Sequence, residues 1–271
     1  MHPKLQRRVQ RYGWDKASTS YEQYWQEQLS PAQDRLIELA ALRPGEKVLD
    51  VACGTGLVTF RAARIVGPSG SVTATDISDA MVQHVMREAE RRTAPNVVAT
   101  RMGAESLEFA DATFDVALCA LGLMYVPDPV AALKEMLRTL KPGGRTVAAV
   151  WGARDKCGWA DIFPIVDARV ESDVCPMFFQ LGTGDQLRVA FEAAGFREIV
   201  TERVSSVLAY ASAHDACGAA FEGGPVALAY SRFDEATRST ARSEYLASIA
   251  PWKSGDGYVV PGEFVIAVGD R

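Results

Sequence analysis

The sequence predicts a doubly wound α/β fold, in which helices cover both faces of a mostly parallel sheet. Short apolar runs rich in β-branched residues alternate with amphipathic segments from residue 47 onward. Turns that contain glycine and proline separate these segments. The chain has 271 residues, of which 48% are hydrophobic and 23% are charged. This composition is typical of a globular protein, and the length allows one large domain with a sizeable core.

The segment before the first strand predicts two amphipathic helices. The first covers residues 14–29. Ser30 and Pro31 then offer an N-cap and a first-turn proline for a second helix over residues 31–42. The Arg43-Pro44-Gly45 sequence ends this pattern.

Residues 44–151 predict a regular alternation of strands and helices. Ser78 is suited to cap one of the helices, and Asp128-Pro129 to begin another. The predicted strands cover residues 47–52, 71–76, 96–100, 114–120 and 145–151, and the helices cover residues 57–66, 79–92 and 129–139.

The pattern loosens after residue 151. Residues 152–182 read as an insertion, and residues 183–194 as a helix that Gly195 ends. Residues 196–210 form a long strand or a pair of strands, residues 211–256 contain polar helical segments, and residues 258–268 form a final strand. We expect the two loose blocks to form a cap beside the sheet.

Composition argues against several classes of protein. The 29 Lys and Arg residues against 34 Asp and Glu residues give a formal charge of −5, which does not suit nucleic-acid binding. The sequence shows no targeting signal and no apolar run long enough for membrane insertion. Odd in number and without a CxxC pair, the cysteines suggest neither disulfides nor a metal site, so a cytoplasmic location is predicted. They are Cys53, Cys119, Cys157, Cys175 and Cys217.

The strongest local motif is VLDVACGTG at residues 48–56. It is a buried strand that ends in Asp50 and opens into a turn with Gly54 and Gly56, where the backbone can approach a ligand closely. Asp76 follows Gly56 by 20 residues at the end of the next strand. A carboxylate there can accept hydrogen bonds from ribose hydroxyls, which predicts an adenosine-bearing cofactor.

Two cofactor classes fit this motif, and charge distinguishes them. A dinucleotide site favours a third glycine where Thr59 stands and disfavours a carboxylate such as Asp50 beside the pyrophosphate. A ligand with an ammonium and a sulfonium group would instead gain a charge-assisted hydrogen bond from Asp50. S-adenosylmethionine is such a ligand.

The sequence resembles the class I S-adenosylmethionine-dependent methyltransferases, in particular the ubiquinone/menaquinone-biosynthesis C-methyltransferases and related natural-product enzymes. The likeness extends over residues 44–151, and residues 14–42 resemble the family's helical lid. It implies a Rossmann-like, mostly parallel seven-stranded sheet with an antiparallel last strand. The segments that carry it are VLDVACGTG (48–56), TATDIS (73–78), GAESLEF (103–109), FDVALCALGLMYVPDP (114–129) and LKPGGRTVAAVW (140–151).

The resemblance also implies a division of the chain around a cofactor-binding core. An N-terminal lid and two cap insertions would surround this core. The implied segments are the lid (1–43), the core (44–151), the first cap insertion (152–182), a core helix and strand (183–210), the second cap insertion (211–256) and the final core strand (257–271).

The family pattern places the cofactor on particular residues of this sequence. Asp50 would lie with the glycine turn at the methionine end, Asp76 at the ribose and Leu121 beside the methionine moiety. Relatives often have an aspartate at position 103 that takes the adenine amino group, so here the Ala104 amide reads the ring alone or Glu105 turns toward it. The predicted cofactor-binding residues are Tyr21, Trp25, Asp50, Ala52, Gly54, Gly56, Asp76, Ile77, Met81, Gly103, Ala104, Glu105 and Leu121.

Several of these residues have a structural alternative. Tyr21 and Trp25 lie on one helical face and either pack on the sheet or close over the cofactor. Met81 suits its helix core as well as an adenine contact. No residue is marked as a catalytic base, and the candidates are His214 in the cap and Tyr125 after the fourth strand.

The predicted function is methyl transfer by in-line displacement from S-adenosylmethionine to a small aromatic or apolar acceptor, quinone-like or natural-product-like, with S-adenosylhomocysteine as product. Alternatives are a methyltransferase for RNA or protein, a non-catalytic S-adenosylmethionine-binding module and a nicotinamide oxidoreductase. The acceptor atom, whether carbon, oxygen or nitrogen, stays open, and a homodimer is compatible with the sequence.

Overall fold

The computed structural model describes residues 3–171 and 177–271. Residues 172–176 of the predicted first cap insertion, which include Cys175, lie outside the described residues. The helices are α1 (Pro3–Ala17), α2 (Tyr21–Ala40), α3 (Thr59–Val66), α4 (Asp79–Arg91), α5 (Pro129–Thr139), α6 (Ile162–Asp167), α7 (Gln186–Ala194), α8 (Ala213–Phe221), α9 (Ala227–Tyr230) and α10 (Glu235–Ser248). The strands are β1 (Lys47–Val51), β2 (Ser71–Asp76), β3 (Val97–Arg101), β4 (Phe114–Ala120), β5 (Leu140–Trp151), β6 (Arg197–Tyr210), β7 (Lys253–Ser254) and β8 (Gly257–Asp270).

The sheet has the strand order β3-β2-β1-β4-β5-β8-β6. Strands β1 to β5 pair in parallel, whereas β8 runs antiparallel between β5 and β6. The two-residue strand β7, which was not predicted, pairs with β8. The predicted doubly wound fold with an antiparallel last strand is therefore confirmed.

Consecutive buried residues show that both faces of the sheet are covered. Residues 48–51 of β1, 146–151 of β5 and 264–267 of β8 are buried without interruption. Because successive side chains of a strand point to opposite faces, such runs require helices on both sides. Helix α2 packs against β4, β5, β6 and β8, and α7 also contacts β6 and β8.

The predicted boundary between the N-terminal helices is wrong. Helix α1 begins at Pro3, the break falls at residues 18–20, and α2 continues through Pro31. Pro31 has no N–H to donate to the carbonyl of Glu27, four residues earlier. The Ser30 hydroxyl donates to that carbonyl at 2.8 Å, so the helix continues without leaving it unpaired.

The structure also resolves the start of β5 and the form of the segment 196–210. Residues 141–144, which separate the predicted helix 129–139 from the predicted strand 145–151, lie inside β5 as an irregularity, because Leu140 already pairs with Phe114 before Arg145 pairs with Val116. The segment 196–210 is one long strand that pairs with β8 along most of its length.

The predicted caps pack against the N-terminal helices and against each other. Helix α6 contacts α10, α8 contacts α2 and α10, and α9 contacts α1. These contacts bring the segments before and after the core to the same end of the molecule. Within residues 3–171 and 177–271, no helix combines the length and the apolar character needed to cross a membrane.

Candidate cofactor site

A cavity of about 960 Å³, its opening included, lies where the carboxyl ends of β1, β2 and β4 meet. This is the edge at which open α/β sheets bind their ligands. We call it the cofactor cavity. The predicted residues that line it are Tyr21, Asp50, Ala52, Gly54, Asp76, Ile77, Met81, Gly103, Ala104, Glu105 and Leu121.

The backbone at the ends of β1 and β4 adopts an unfavourable conformation. Ala52 and Leu121 have φ angles of 56° and 62°, in the left-handed region that residues with a Cβ rarely adopt. The two strand ends also touch, since a Cβ at Gly122 would lie 2.5 Å from the Cβ of Ala52. Strain of this kind is typical of ligand sites and cannot be read from sequence patterns.

Asp76 connects the glycine turn to β2. Its Oδ2 accepts the Gly54 N–H and its Oδ1 accepts the Ser78 N–H, both at 2.9 Å. Burial raises the pKa of Asp76 to about 6, although the N–H groups of Ser78 and Gly54 favour the charged form. A carboxylate has about four acceptor positions, so Asp76 keeps acceptor capacity for a ligand in the cofactor cavity.

Asp50 is 1% exposed and lies beneath the same turn. The Thr59 hydroxyl donates to Oδ2 of Asp50 at 2.6 Å, while Oδ1 is buried without a hydrogen-bond partner in the described part of the chain. Burial raises the pKa of Asp50 to about 7, and the charge of Asp76 adds to this effect. An unpaired, buried carboxylate oxygen favours a cationic ligand.

Helix α1 closes over one side of the cofactor cavity. Arg7 Nε pairs with Glu105 Oε2 at 2.5 Å, and Arg11 pairs with Asp79 at the start of α4. Asp15 Oδ1 accepts the Ser78 hydroxyl at 2.6 Å. These contacts attach α1 to the elements that follow β2 and β3.

Sequence reasoning missed the contribution of α1. Arg7, Gln10 and Trp14 lie on one face of this helix and line the cofactor cavity. Two polar side chains on the covered face disguise its amphipathic period, although the spacing of the three residues by three and four positions was a usable signal. The other lining residues that were missed flank predicted ones or lie on α2; they are Gln33, Cys53, Thr55, Leu57, Val58, Met102, Ala120, Gly122, Val126 and Pro127. Tyr125, which was predicted only as a catalytic candidate, also lines the cofactor cavity.

Both carboxylate oxygens of Glu105 already have a partner within the protein. In addition to the Arg7 pair, its Oε1 accepts the Asp128 N–H at 3.0 Å. Turning this carboxylate toward a base would break both interactions. Adenine recognition by the backbone at Ala104 stays a prediction, and of the two alternatives it is the one that leaves both interactions of Glu105 intact.

Two predicted residues do not line the cofactor cavity. Gly56 shapes the turn from beneath, because its φ is 92° and a Cβ there would lie 2.8 Å from the Phe60 ring. Trp25 lines a second space of about 320 Å³, its opening included, which we call the aromatic cavity. It is lined by Trp14, Tyr21, Trp25, Leu29, Leu121, Met124, Tyr125, Trp151, Trp159, Gly223, Gly224 and Pro225.

The two candidate catalytic residues have different positions. Tyr125 lines both the cofactor cavity and the aromatic cavity. His214 lies in the first turn of α8 and lines neither of them. Within the described residues, no group of three His, Cys, Asp or Glu side chains is arranged to hold a metal ion.

Comparison with known proteins gives this site a context. The family of methyltransferase domains matches residues 48–144. Residues 48–144 form a methyltransferase domain. The domain is of the class I S-adenosylmethionine-dependent type, which confirms the resemblance and the predicted cofactor.

Two curated relatives match part of this chain. Both are ubiquinone/menaquinone biosynthesis C-methyltransferases, from Saccharophagus degradans and Ectopseudomonas mendocina, and both are 48% identical to this chain over 111 residues. The match covers 40% of this chain and 44% and 43% of the relatives. The chain therefore spans less than half the length of these curated relatives.

Solved structures share the fold of the methyltransferase domain over a longer stretch. A phosphoethanolamine N-methyltransferase from Haemonchus contortus has a TM-score of 0.63 at 14% identity, covering 95% of this chain and 57% of its own. The [4+2]-cyclase SpnF has a TM-score of 0.58 at 23% identity, covering 88% of this chain and 79% of its own. These likenesses show the fold alone.

The chemistry of the cavity fits the cofactor of the methyltransferase domain. Asp50 Oδ1 offers an unpaired acceptor for the ammonium group, and Asp76 offers acceptors for the ribose hydroxyls. A pyrophosphate would instead face two buried carboxylates. Thr59, which occupies the third position of the GxGxxG pattern, has the further role of holding Asp50 in place.

The raised pKa of Asp50 predicts that cofactor affinity depends on pH. Binding of the cation requires the carboxylate, so affinity is expected to rise as pH rises through the pKa of about 7. The dissociation constant of S-adenosylmethionine should be about tenfold larger at pH 6 than at the high-pH limit. Calorimetry between pH 5.5 and 7.2 measures this change, because the amine of the cofactor stays protonated over this range. An Asp50→Asn variant should bind more weakly and keep only the smaller pH dependence that Asp76, with a pKa of about 6, contributes. A pH-independent wild type would contradict the assignment.

Proposed function

We propose that the protein transfers the methyl group of S-adenosylmethionine to a small aromatic or apolar acceptor. The observation that carries the proposal is the pair of buried carboxylates, Asp50 and Asp76, in the cofactor cavity of the methyltransferase domain. The aromatic cavity adjoins it and supplies an apolar space for an acceptor. The curated relatives are named as C-methyltransferases of ubiquinone and menaquinone biosynthesis, and this supports a quinone-like ring as the acceptor.

When bound, the cofactor supplies an electrophilic methyl group on a positively charged sulfur. The residues of this chain are needed mainly to position donor and acceptor and to exclude water, and such alignment can supply roughly 7–11 kcal/mol of a barrier. Asp50 holds the methionine end of the donor, and Asp76 holds its ribose. Leu121 and Tyr125 line both cavities and therefore stand between donor and acceptor.

No carboxylate, histidine or lysine is among the described residues that line the aromatic cavity. We therefore assign no general base, and Tyr125 stays the candidate side chain nearest to an acceptor. His214 lines neither cavity, which gives it no direct role in this proposal. The acidic formal charge of −5 makes an RNA substrate the weaker candidate. The cytoplasmic location and a homodimer stay predictions.

Ligand binding and a single-turnover assay test the proposal in sequence. Calorimetry is expected to show binding of S-adenosylhomocysteine and little binding of NADH. Labelled S-adenosylmethionine should then transfer its methyl group to one member of a panel of phenols, quinols and aromatic amines. Absence of S-adenosylhomocysteine binding would overturn the proposal, whereas binding without transfer to any class of acceptor would favour a non-catalytic module. SpnF shows that this fold also occurs in a [4+2]-cyclase.

A further inference from the structure

The aromatic cavity shares a wall with the cofactor cavity. Trp14, Tyr21, Leu121 and Tyr125 line both spaces. A molecule in the aromatic cavity would therefore lie against the end of β4, where the methionine moiety is expected. The inference below rests on the proposed function and concerns how the acceptor is recognised.

Three tryptophans form the far side of the aromatic cavity. The rings of Trp25 and Trp159 have centroids 5.9 Å apart, and the Trp151 ring lies 4.8 Å from Trp159 and 6.0 Å from Trp25. All three residues are at most 5% exposed. Edge and face contacts of this kind suit a planar ring better than a flexible chain.

Two polar atoms in this cluster have no partner. The indole N–H groups of Trp25 and Trp159 are buried and make no hydrogen bond within the described part of the chain. Buried donors are nearly always paired in folded proteins, because an unpaired one loses its hydration without compensation. Because both tryptophans line the aromatic cavity, an oxygen of a ligand bound there is a candidate partner for the two N–H groups.

The wall beside the Trp25 N–H is built from glycine and packs closely on the indole. Gly223 and Gly224 line the cavity there, and a Cβ at residue 223 would lie 3.1 Å from Trp25 Nε1. Every described residue that lines the aromatic cavity is uncharged. Because an ammonium group would find no carboxylate here, the cavity favours a neutral oxygen on an apolar ring.

We propose that the aromatic cavity is the acceptor subsite and that Trp25 and Trp159 donate hydrogen bonds to an oxygen substituent of a single-ring acceptor. The expected acceptor class is a phenol, a quinol or a ring ketone. Trp25 and Trp159 are positioning residues, since they orient the ring without taking part in bond formation. The narrow space beside the two glycines restricts the acceptor at this end to one ring.

Matched ring compounds test this proposal on the full chain saturated with S-adenosylhomocysteine. The probes are p-cresol and p-xylene, which differ by one hydroxyl in place of a methyl group, and binding is followed by calorimetry. Trp25→Phe and Trp159→Phe keep an aromatic ring but remove one N–H each. In each variant, we expect the dissociation constant of p-cresol to rise by about fivefold relative to that of p-xylene, because one hydrogen bond is lost. Trp252→Phe, which removes an indole outside both cavities, should leave the ratio unchanged.

The outcomes separate this inference from the proposed function. An unchanged ratio in both variants would overturn it and leave a bound water as the partner of the two donors. Tighter binding of trimethylanilinium than of p-cresol would also overturn it and indicate a cation–π site instead. In both cases, intact S-adenosylhomocysteine binding would keep the proposed function. Loss of S-adenosylhomocysteine binding in the wild type would instead remove the basis of both.

A second variant tests the same subsite by its shape. Gly223→Ala places a methyl group 3.1 Å from Trp25 Nε1 at a residue whose φ is not in the left-handed region. We expect p-cresol to bind at least about tenfold more weakly, because one donor becomes blocked and the space shrinks. Unchanged p-cresol binding by a folded Gly223→Ala protein would contradict the proposed position of the oxygen.

Discussion

Replacing Asp76 with alanine is expected to weaken S-adenosylhomocysteine binding by at least tenfold and by up to about a thousandfold. The variant loses the acceptors for the ribose hydroxyls, and hydrogen bonds to a charged group are worth about 1.5–3 kcal/mol each. It also releases the Gly54 and Ser78 N–H groups that Asp76 holds at 2.9 Å. Calorimetry at pH 8 measures the effect with the carboxylate charged in the wild type.

A structural carboxylate at the opposite end of the sheet is the matched control. Asp115 accepts the Lys47 N–H at 2.8 Å and pairs with Lys141 at 2.7 Å. Asp115→Ala should lower stability but leave S-adenosylhomocysteine affinity within about twofold of the wild type. Equal losses of affinity in both variants would show that Asp76 acts through general stability, and would remove it from the site.

Replacing Gly56 with alanine is expected to cause the largest loss of stability among the glycine-turn variants. The residue has a φ of 92°, and the new Cβ would lie 2.8 Å from Phe60 and 3.1 Å from Val85. Strain in the backbone and in the packing should together lower the free energy of unfolding by about 2–5 kcal/mol. Thermal or urea unfolding of the ligand-free protein measures this change.

Gly143 separates the two contributions. Its φ of 77° is similarly unfavourable for alanine, but nothing lies within 4 Å of the added Cβ. Gly143→Ala should therefore lose only the backbone part, about 1–2 kcal/mol. If both variants lost the same amount, close packing under the glycine turn would not be important.

The core of the fold was predictable because its signals are local. Strands such as β1 and β4 are continuous apolar runs, and Ser78 and Asp128 cap α4 and α5 as their positions predicted. Pro31 was misleading because its effect depends on whether a neighbour pairs the free carbonyl, and Ser30 does so here. A prediction made from the proline alone cannot show that a neighbouring hydroxyl pairs the carbonyl that the proline leaves free.

The cofactor cavity was predicted better on the sheet side than on the helical side. Asp50 and Asp76 lie at the carboxyl ends of β1 and β2, so the topology alone brings them to one edge. Arg7 and Gln10 reach the cavity only through the packing of α1, and the aromatic cavity depends on residues from α2, β5 and the loops around Trp159 and Gly223. Spacing within α1 can indicate which face of that helix is covered, but it cannot indicate which distant segment covers that face.

Trp14 and Tyr21, which flank the break between α1 and α2, line both cavities. Moving these helices outward would therefore uncover both spaces at once. Under the proposed function, nucleoside exchange and ring entry would then share one opening motion of the N-terminal helices. The ion pairs of Arg7 and Arg11, which attach α1 to Glu105 and Asp79, would have to separate in that motion.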